Sequence, residues 1–410
     1  MEKKNFVWNL IGSLLNAFTS LFFMIIVTRI NGIDKAGVFT FAFSLAAMLQ
    51  VIATYHGRPY QVTDKTKELS DVDFLRTRVF TSLIMLFVSL VYIFIKKYNF
   101  EKSIMILLFI IFRGIEAISD AYYGIMQKND RLYNVGISLT LKTIVGVILF
   151  LIIDIITKNI ILSIISLIIS QVLFFIFYDI KKKKNMSFTI TNFSFKNIKK
   201  ILVMGFSIFI VSILSQYLLQ APKFPIDSFL SNDKQTIYGI ISMPATMMIL
   251  VSQFTIHPFL VKMNNYLIKN DYINFKKMVI KLCLILFGVG IACELLLYII
   301  GIPLLNLVYG IKLEKYIIEL LVIAFGALLF GISTIISYSM IAMNKNRVQS
   351  IIFIISSIIS CILSYKLVFY YGLMGAALSY FIVMLLILLL YVISFNVYMK
   401  KVIKWRKFQL

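Results

Sequence analysis

The chain has 410 residues, of which 60% are hydrophobic and only 14% are charged. Soluble globular domains carry roughly 25% charged and about 45–50% apolar residues, so this composition excludes an ordinary soluble fold. The formal net charge is +23. Because the basic residues lie between apolar blocks and not on one polar face, this charge indicates membrane topology and no nucleic-acid partner.

Apolar blocks long enough to cross about 30 Å of hydrocarbon recur along the whole chain. Strand-like alternation is absent, so each block is predicted to satisfy its backbone hydrogen bonds internally, as a helix. The first block continues too far for a signal peptide, and we take it as the first span. The twelve predicted transmembrane helices lie at about 8–29, 36–57, 79–97, 103–124, 133–154, 159–180, 202–221, 235–257, 278–300, 316–342, 348–369 and 372–398.

An even number of spans places both termini on one side of the membrane. About two thirds of the 41 Lys and Arg residues lie in the termini and loops of that side, which the positive-inside rule assigns to the cytoplasm. Both termini are therefore predicted to be cytoplasmic.

The stretch 181–200 is the candidate linker, and it opens with four consecutive lysines. Its alternating apolar residues suit a segment along the inner membrane surface, either as a topology anchor or for lipid regulation. This cytoplasmic basic linker divides the chain into six-helix bundles at 1–180 and 201–410. Similar turns at 126–131 and 343–347 predict that the bundles are parallel repeats, related by a pseudo-two-fold axis along the membrane normal and facing a central cavity.

Ionisable residues inside the spans are the main functional evidence, because each costs about 2.5–3.5 kcal/mol at a helix centre unless it faces a cavity or a partner. Arg113, Glu116 and Asp120 occupy positions i, i+3 and i+7, on one face of the fourth span. Lys142 in the antiparallel fifth span is predicted to lie level with Glu116. Two cations and two anions then share one water-filled region, as a neutralised structural network or as a ligand site.

The second half has fewer intramembrane charges, and Glu294 is its best cavity candidate. Pro222 and Pro225, near the end of the seventh span, are predicted to break or bend that helix and to expose backbone groups. The polar residues beside this break are Gln216, Gln220, Lys223 and Asp227.

Motifs for soluble-enzyme chemistry are absent from the sequence. There is no Gly-x-x-x-x-Gly-Lys-Ser/Thr loop, no His-Glu-x-x-His, no paired Cys/His spacing and no Gly-x-Ser-x-Gly elbow. No predicted outer loop is long enough for a periplasmic catalytic site. We therefore expect translocation and no catalysis, with no metal and no cofactor.

Short motifs spread over most of the chain carry a family resemblance. They are Thr28-Arg29-Ile30-Asn31-Gly32, Gly57-Arg58-Pro59-Tyr60-Gln61, Glu116-Ala117-Ile118-Ser119-Asp120, the segment from Ala221 to Asp227, and Gly301 with Pro303 and Tyr309-Gly310. In these motifs the chain resembles the Wzx-type flippases, in the superfamily of multidrug, oligosaccharidyl-lipid and polysaccharide exporters.

The resemblance implies a flippase of the bacterial cytoplasmic membrane. Its substrate would be an oligosaccharide repeat unit on undecaprenyl pyrophosphate, moved from the inner to the outer leaflet by alternating access for capsule or O-antigen-type polysaccharide. Membrane lipids, and a polysaccharide polymerase with chain-length machinery, would be its other partners. Candidate substrate-binding residues are Arg29, Arg58, Arg113, Lys142, Gln216, Gln220 and Lys223, the cations serving the pyrophosphate. Candidates for coupling to H⁺ or Na⁺, or for charge balance, are Glu116, Asp120, Asp227 and Glu294.

Three alternatives stay open at this point. A multidrug/cation antiporter of the same superfamily would share the fold, but its cavity should be lined with carboxylates. Flippases for teichoic-acid chains or peptidoglycan precursors would differ only in the glycan. A membrane glycan polymerase or ligase, an enzyme, should carry a substantial polar outer loop, and none is visible.

Overall fold

The computed structural model describes residues 2–55, 57–63, 69–183, 186–256 and 259–407. All regular structure in these residues is helical, which confirms the predicted all-α fold class. The chain forms two compact units, Met1–Gln216 and Tyr217–Leu410. Their boundary falls within the predicted seventh span. The grouping of spans into bundles at 1–180 and 201–410 stays a prediction, and residues 184–185 of the predicted linker lie outside the described part.

The first unit is built around a long helix that carries the predicted charged face. Its helices are α1 (Glu2–Ala17), α2 (Thr19–Asn31), α3 (Ile33–Thr54), α4 (Gly57–Thr63), α5 (Asp71–Lys96), α6 (Phe100–Lys128), α7 (Leu132–Thr157), α8 (Ile160–Phe174), α9 (Lys181–Lys183) and most of α10 (Phe195–Gln220). A π-helical turn, Phe175–Ile180, continues α8. α6 packs against α3 and α5, and α1 packs against α7. α1 and α7 approach closely because Gly12 and Gly136 have no side chains. A Cβ on Gly12 would lie only 2.4 Å from the carbonyl oxygen of Gly136.

Aromatic rings, most of them buried, join four helices of the first unit. Phe23 of α2 lies 4.8 Å from Phe150 of α7, between ring centroids. Phe109 of α6 lies 5.1 Å from Phe39 and 5.3 Å from Phe43, both of α3. This cluster gives the charged residues further along α6 a rigid support.

The second unit surrounds the most enclosed of the candidate spans, α17. Its helices are α11 (Lys223–Phe229), α12 (Asn232–Ile241), α13 (Met243–Ile256), α14 (Leu260–Ile268), α15 (Tyr272–Leu296), α16 (Ile302–Tyr309), α17 (Ile317–Ala342) and α18 (Asn346–Lys407). A π-helical turn, Leu297–Gly301, joins α15 to α16, and a 3₁₀ turn, Glu314–Tyr316, precedes α17. α10 ends at Gln220 and α11 begins at Lys223, so the break predicted at Pro222 is confirmed.

α18 is a hairpin of two arms, 346–371 and 373–407. Gly372 has a φ of 56° and a ψ of −132°, a conformation that interrupts the helix and that glycine adopts without a side-chain clash. Phe353 and Tyr391, equally far from Gly372 along the chain, contact each other with ring centroids 6.4 Å apart. The arms coincide with the last two predicted spans.

In the described part of the chain, 10 helices are long and apolar enough to cross a membrane. α6 contains the predicted fourth span, but its ionisable residues exclude it from these 10 candidates. The two arms of α18 are counted as one candidate. Asp130 and Asn344, in the turns that suggested a repeat, share a left-handed backbone with φ of 54° and 59°, but Asn270 does too. Because a left-handed residue is a common way to end a helix, these turns do not by themselves indicate a repeat. Twelve crossings and the pseudo-two-fold axis stay predictions.

Candidate functional site

The charged face of α6 lines a cavity of about 310 Å³ inside the first unit. Arg113, Glu116 and Asp120 face this cavity together, as their spacing predicts. Arg58 of α4 and Lys142 of α7 complete the charged lining. Uncharged polar side chains in the lining are Asn16, Thr19, Ser20, Gln50, Thr54, Ser119, Tyr123, Thr143 and Gln171.

Arg113 and Glu116 form an ion pair along one turn of α6. Nη1 of Arg113 lies 2.6 Å from Oε2 of Glu116, and Nε2 of Gln50 donates to the same oxygen at 3.1 Å. The guanidinium carbon lies 4.6 Å from the centre of the Phe43 ring, which adds a cation–π contact. Both charged side chains keep some exposure, so the pair is accessible from the cavity.

Asp120 accepts hydrogen bonds from two guanidinium groups. Nη2 of Arg78 lies 3.1 Å from its Oδ2, and Nη1 of Arg58 lies 3.4 Å from its Oδ1. The Arg58 Nε donates to Oε1 of Gln127 at 3.1 Å. Arg58 keeps 23% of its side chain exposed, whereas Arg78 is buried behind the carboxylate.

The short helix α4 positions Arg58. Gln61, in the same helix, donates from Nε2 to the backbone oxygen of Ala121 at 3.2 Å. The Gln61 side chain fits there because Gly124 has none, since a Cβ at Gly124 would lie 2.2 Å from Oε1 of Gln61. α4 is thereby attached to α6 beside Asp120.

Sequence reasoning missed Arg78, which lies at the margin of the predicted third span and resembles a boundary cation. The structure begins α5 at Asp71, two turns earlier, because Ser70 and Asp73 form a capping box. The sequence pattern Ser70-x-x-Asp73 is typical of a helix start, and it could have shown that Arg78 lies inside a helix.

Lys142 pairs with Asp179 and not with Glu116. Its Nζ lies 2.5 Å from Oδ2 of Asp179 and donates to Oγ of Ser119 and Oη of Tyr123, both at 3.0 Å. Ser138 donates to the other carboxylate oxygen of Asp179 at 2.6 Å. The side chains of Lys142 and Asp179 are only 5% and 0% exposed, so this network borders the cavity as a satisfied, buried unit.

Asp179 was also missed, because it ends the sixth predicted span directly before the four lysines and resembles an interfacial acid. It lies in the π-helical turn Phe175–Ile180, and turns of this kind occur frequently at functional sites. No pattern in the sequence indicates that turn.

Among the described residues around the cavity, the charges do not cancel. Four cations, Arg58, Arg78, Arg113 and Lys142, meet three carboxylates, Glu116, Asp120 and Asp179. The excess positive charge lies closest to the cavity at Arg58, which shares its carboxylate with Arg78. A guanidinium in that position can bind an anionic group through two parallel hydrogen bonds.

The remaining predicted site residues lie elsewhere. Arg29 is exposed in the last turn of α2, and Gln216 is half-buried on α10; neither lines the cavity. In the second unit, Gln220, Lys223 and Asp227 are half-buried around the break between α10 and α11. Glu294 borders an apolar pocket of about 530 Å³ between α15, α17 and α18. The binding and coupling roles of all these residues stay predictions.

A known sequence is similar to this chain over most of its length. No family model matches the chain. The chain is 23% identical over 379 residues to the capsular polysaccharide biosynthesis protein CapF of Staphylococcus aureus, and the alignment covers 92% of this chain and 94% of CapF.

Solved structures share the fold over nearly the whole chain. An inward-facing multidrug resistance MATE transporter of the MOP superfamily matches with a TM-score of 0.76 and 12% identity, covering 97% of this chain and 99% of that one. The lipid II flippase MurJ, in an inward closed conformation, matches with a TM-score of 0.73 and 19% identity, covering 95% and 87%. At these identities the likeness shows the fold. The resemblance predicted from the sequence motifs is thus confirmed at the level of the fold.

Proposed function

We propose that the chain, which has the fold of the MATE and MurJ transporters, is a flippase for an oligosaccharide repeat unit on undecaprenyl pyrophosphate. It moves this substrate from the inner to the outer leaflet of a bacterial cytoplasmic membrane by alternating access. The observation that carries the proposal is the excess positive charge in the cavity of the first unit. The likeness to CapF supports capsular polysaccharide as the product.

The cavity lining fits the two chemical parts of such a substrate. A pyrophosphate group binds at Arg58, with Arg113 as the second cation that remains accessible from the cavity. The uncharged polar side chains around them offer hydrogen bonds to sugar hydroxyls. When the cavity is empty, the three carboxylates offset most of the positive charge, which lowers the cost of holding it within the membrane.

The alternative with the same fold is a multidrug/cation antiporter. A cavity that binds organic cations needs a carboxylate without a protein cation beside it. Here Glu116, Asp120 and Asp179 each form an ion pair with at least one Arg or Lys. The pairing therefore favours an anionic substrate.

Four further assignments belong to this proposal. The chain transports and does not catalyse a reaction, both termini are cytoplasmic, and the exported repeat unit passes to a polymerase with chain-length machinery. Exchange for H⁺ or Na⁺ supplies the energy through Glu116 or Asp120, carboxylates that face the cavity.

The test is removal of the protein from its native cell, followed by extraction of lipid-linked glycans. We expect the repeat unit on its lipid to accumulate in the inner leaflet, protected from a membrane-impermeant oxidant, and the wild-type gene to reverse this. Cells complemented with Arg58→Gln should transport at least about ten-fold more slowly than cells complemented with the wild type. The reason is that a hydrogen bond to a charged group contributes about 1.5–3 kcal/mol. Lys277→Gln, which removes an exposed cation of α15, is the matched control and should transport normally. Increased drug sensitivity without glycan accumulation would instead identify an antiporter.

A further inference from the structure

Residues 186–195, which we call the strap, are held on the first unit by two buried carboxylates. The backbone N–H and the hydroxyl of Thr189 donate to Oδ2 of Asp71 at 3.1 and 2.9 Å. The hydroxyl of Thr191 donates to Oδ2 of Asp73 at 3.1 Å, and Asn197, in the first turn of α10, donates to the same oxygen at 3.0 Å. Asp71 and Asp73 are both buried, so the accepting carboxylates of these partly buried bonds are fixed within the first unit.

Further bonds hold the strap on both sides of this contact. The hydroxyl of Ser187 donates to the side-chain oxygen of Asn129 at 2.7 Å, at the end of α6. Arg76 of α5 donates from Nη1 to the backbone oxygens of Thr191 and Asn192, at 3.1 and 3.0 Å. The strap therefore lies in one fixed orientation across the ends of α5 and α6.

That orientation leaves an apolar edge uncovered. Ile190 lies between Thr189 and Thr191, whose hydroxyls donate to the first unit, and its own side chain is exposed. Ile190, Phe193 and Phe195 are 73%, 68% and 58% exposed. Phe195 contacts Phe80 of α5 edge-on, with ring centroids 5.8 Å apart, which fixes the end of this edge against α5.

Positive charge surrounds the apolar edge. The stretch 181–200 contains no Asp or Glu. Asp71 and Asp73, the carboxylates that bind the strap, are both buried. Among the described side chains of this stretch, the exposed cations are Lys181, Lys182, Lys196, Lys199 and Lys200.

The edge adjoins exposed apolar residues on two candidate membrane spans. Val79 on α5, and Val203 and Phe206 on α10, are exposed apolar residues of candidate membrane spans. The strap precedes α10 directly and contacts the first turns of α5, so its apolar edge lies where those two surfaces begin. A row of aromatic side chains flanked by lysines at a membrane border is the composition of an interfacial lipid-binding segment.

We propose that the strap binds the anionic phospholipid headgroups of the leaflet that it borders. Ile190, Phe193 and Phe195 insert below the headgroups, and Lys196, Lys199 and Lys200 contact the lipid phosphates. The hydrogen bonds to Asp71 and Asp73 hold the segment in the orientation that this contact needs. The ligand is bilayer phospholipid, and this surface is separate from the cavity of the first unit.

The test uses tryptophan quenching by brominated lipids in vesicles that contain the full chain. The two native tryptophans, Trp8 and Trp405, are replaced by phenylalanine, and Phe193→Trp supplies the probe. The vesicles contain equal parts of phosphatidylglycerol and phosphatidylcholine, with one of the two brominated. We expect brominated phosphatidylglycerol to quench roughly two-fold more than brominated phosphatidylcholine, because each nearby lysine attracts anionic lipid.

Two variants complete the design. Replacing Lys196, Lys199 and Lys200 by glutamine should bring the quenching ratio to unity while overall quenching persists. Phe87→Trp, at an exposed position further along α5, is the control and should show no preference in either background. Ile190→Trp replaces Phe193→Trp as the probe if the latter does not fold. A ratio of unity at the strap, a ratio that the lysine replacements leave unchanged, or no quenching by either lipid would each overturn the proposal.

Discussion

The ammonium group of Lys142 lies 2.5 Å from the carboxylate of Asp179, in a region that leaves both side chains almost fully buried. α7 contributes the cation, and the π-helical turn after α8 contributes the anion. Ser119, Tyr123 and Ser138 satisfy the remaining hydrogen bonds. The buried pair thus connects α6, α7 and the end of α8 at the border of the cavity.

Removing one partner of this pair should destabilise the protein strongly. Lys142→Met leaves the Asp179 carboxylate buried without its cation, and we expect a loss of about 3–5 kcal/mol in the free energy of unfolding. Thermal or denaturant unfolding in detergent measures this loss. The double variant Lys142→Met with Asp179→Leu should recover most of the stability, because it removes both charges.

Transport by the same double variant separates the two roles of Lys142. If Lys142 binds substrate, the double variant should fold normally and still fail to transport. Wild-type transport by the stable double variant would show that the pair is structural and that Lys142 is not a ligand. Lys142→Met with Glu116→Gln is the matched control and should not recover stability, since Glu116 pairs with Arg113.

Neutralising Glu116 should uncouple transport from an ion gradient. The carboxylate faces the cavity and accepts hydrogen bonds from Arg113 and Gln50, so it can exchange a partner for H⁺ or Na⁺. In vesicles with an imposed gradient, Glu116→Gln should transport at the same low rate with and without that gradient. Glu101→Gln, exposed in the first turn of α6, should keep the wild-type response. A normal gradient response in Glu116→Gln would leave Glu116 only the role of neutralising Arg113.

The break between α10 and α11 should contribute to the transport cycle. Pro222→Ala with Pro225→Ala permits a continuous helix across 220–223, which removes a point of bending. We expect transport to fall more than the yield of folded protein, measured at matched membrane abundance. Pro303→Ala, at the start of α16, is the proline control and should transport normally. Wild-type rates in the double variant would remove this bend from the mechanism.

Cysteine labelling in whole cells tests the topology. In a variant without Cys283, Cys293 and Cys361, we expect Asn192→Cys on the strap to resist an impermeant maleimide until the membrane is permeabilised. Lys312→Cys, between the ninth and tenth predicted spans, should react from outside. Labelling of Asn192→Cys in intact cells would contradict cytoplasmic termini and would place the strap at the outer leaflet.

The sequence by itself determined the helical class, the approximate positions of the helices and the charged face of α6. Each of these follows from local properties, namely the length of apolar blocks and the 3.6-residue period that aligns Arg113, Glu116 and Asp120. The break at Pro222 is local in the same way, because proline lacks the backbone donor that a continuous helix requires.

Only the tertiary structure decided which charges meet and which residues form the cavity. Asp179 and Arg78 both resemble boundary residues in the sequence, yet the π-helical turn and the packing of α5 on α6 bring them to Lys142 and Asp120. Arg29 belongs to a motif that resembles the Wzx-type flippases, but it is exposed at the end of α2. Ion pairing between helices depends on their relative rotation and height, which packing at many separate contacts sets. No short segment of the sequence contains that information, so the partners of the cavity charges appear only in the folded chain.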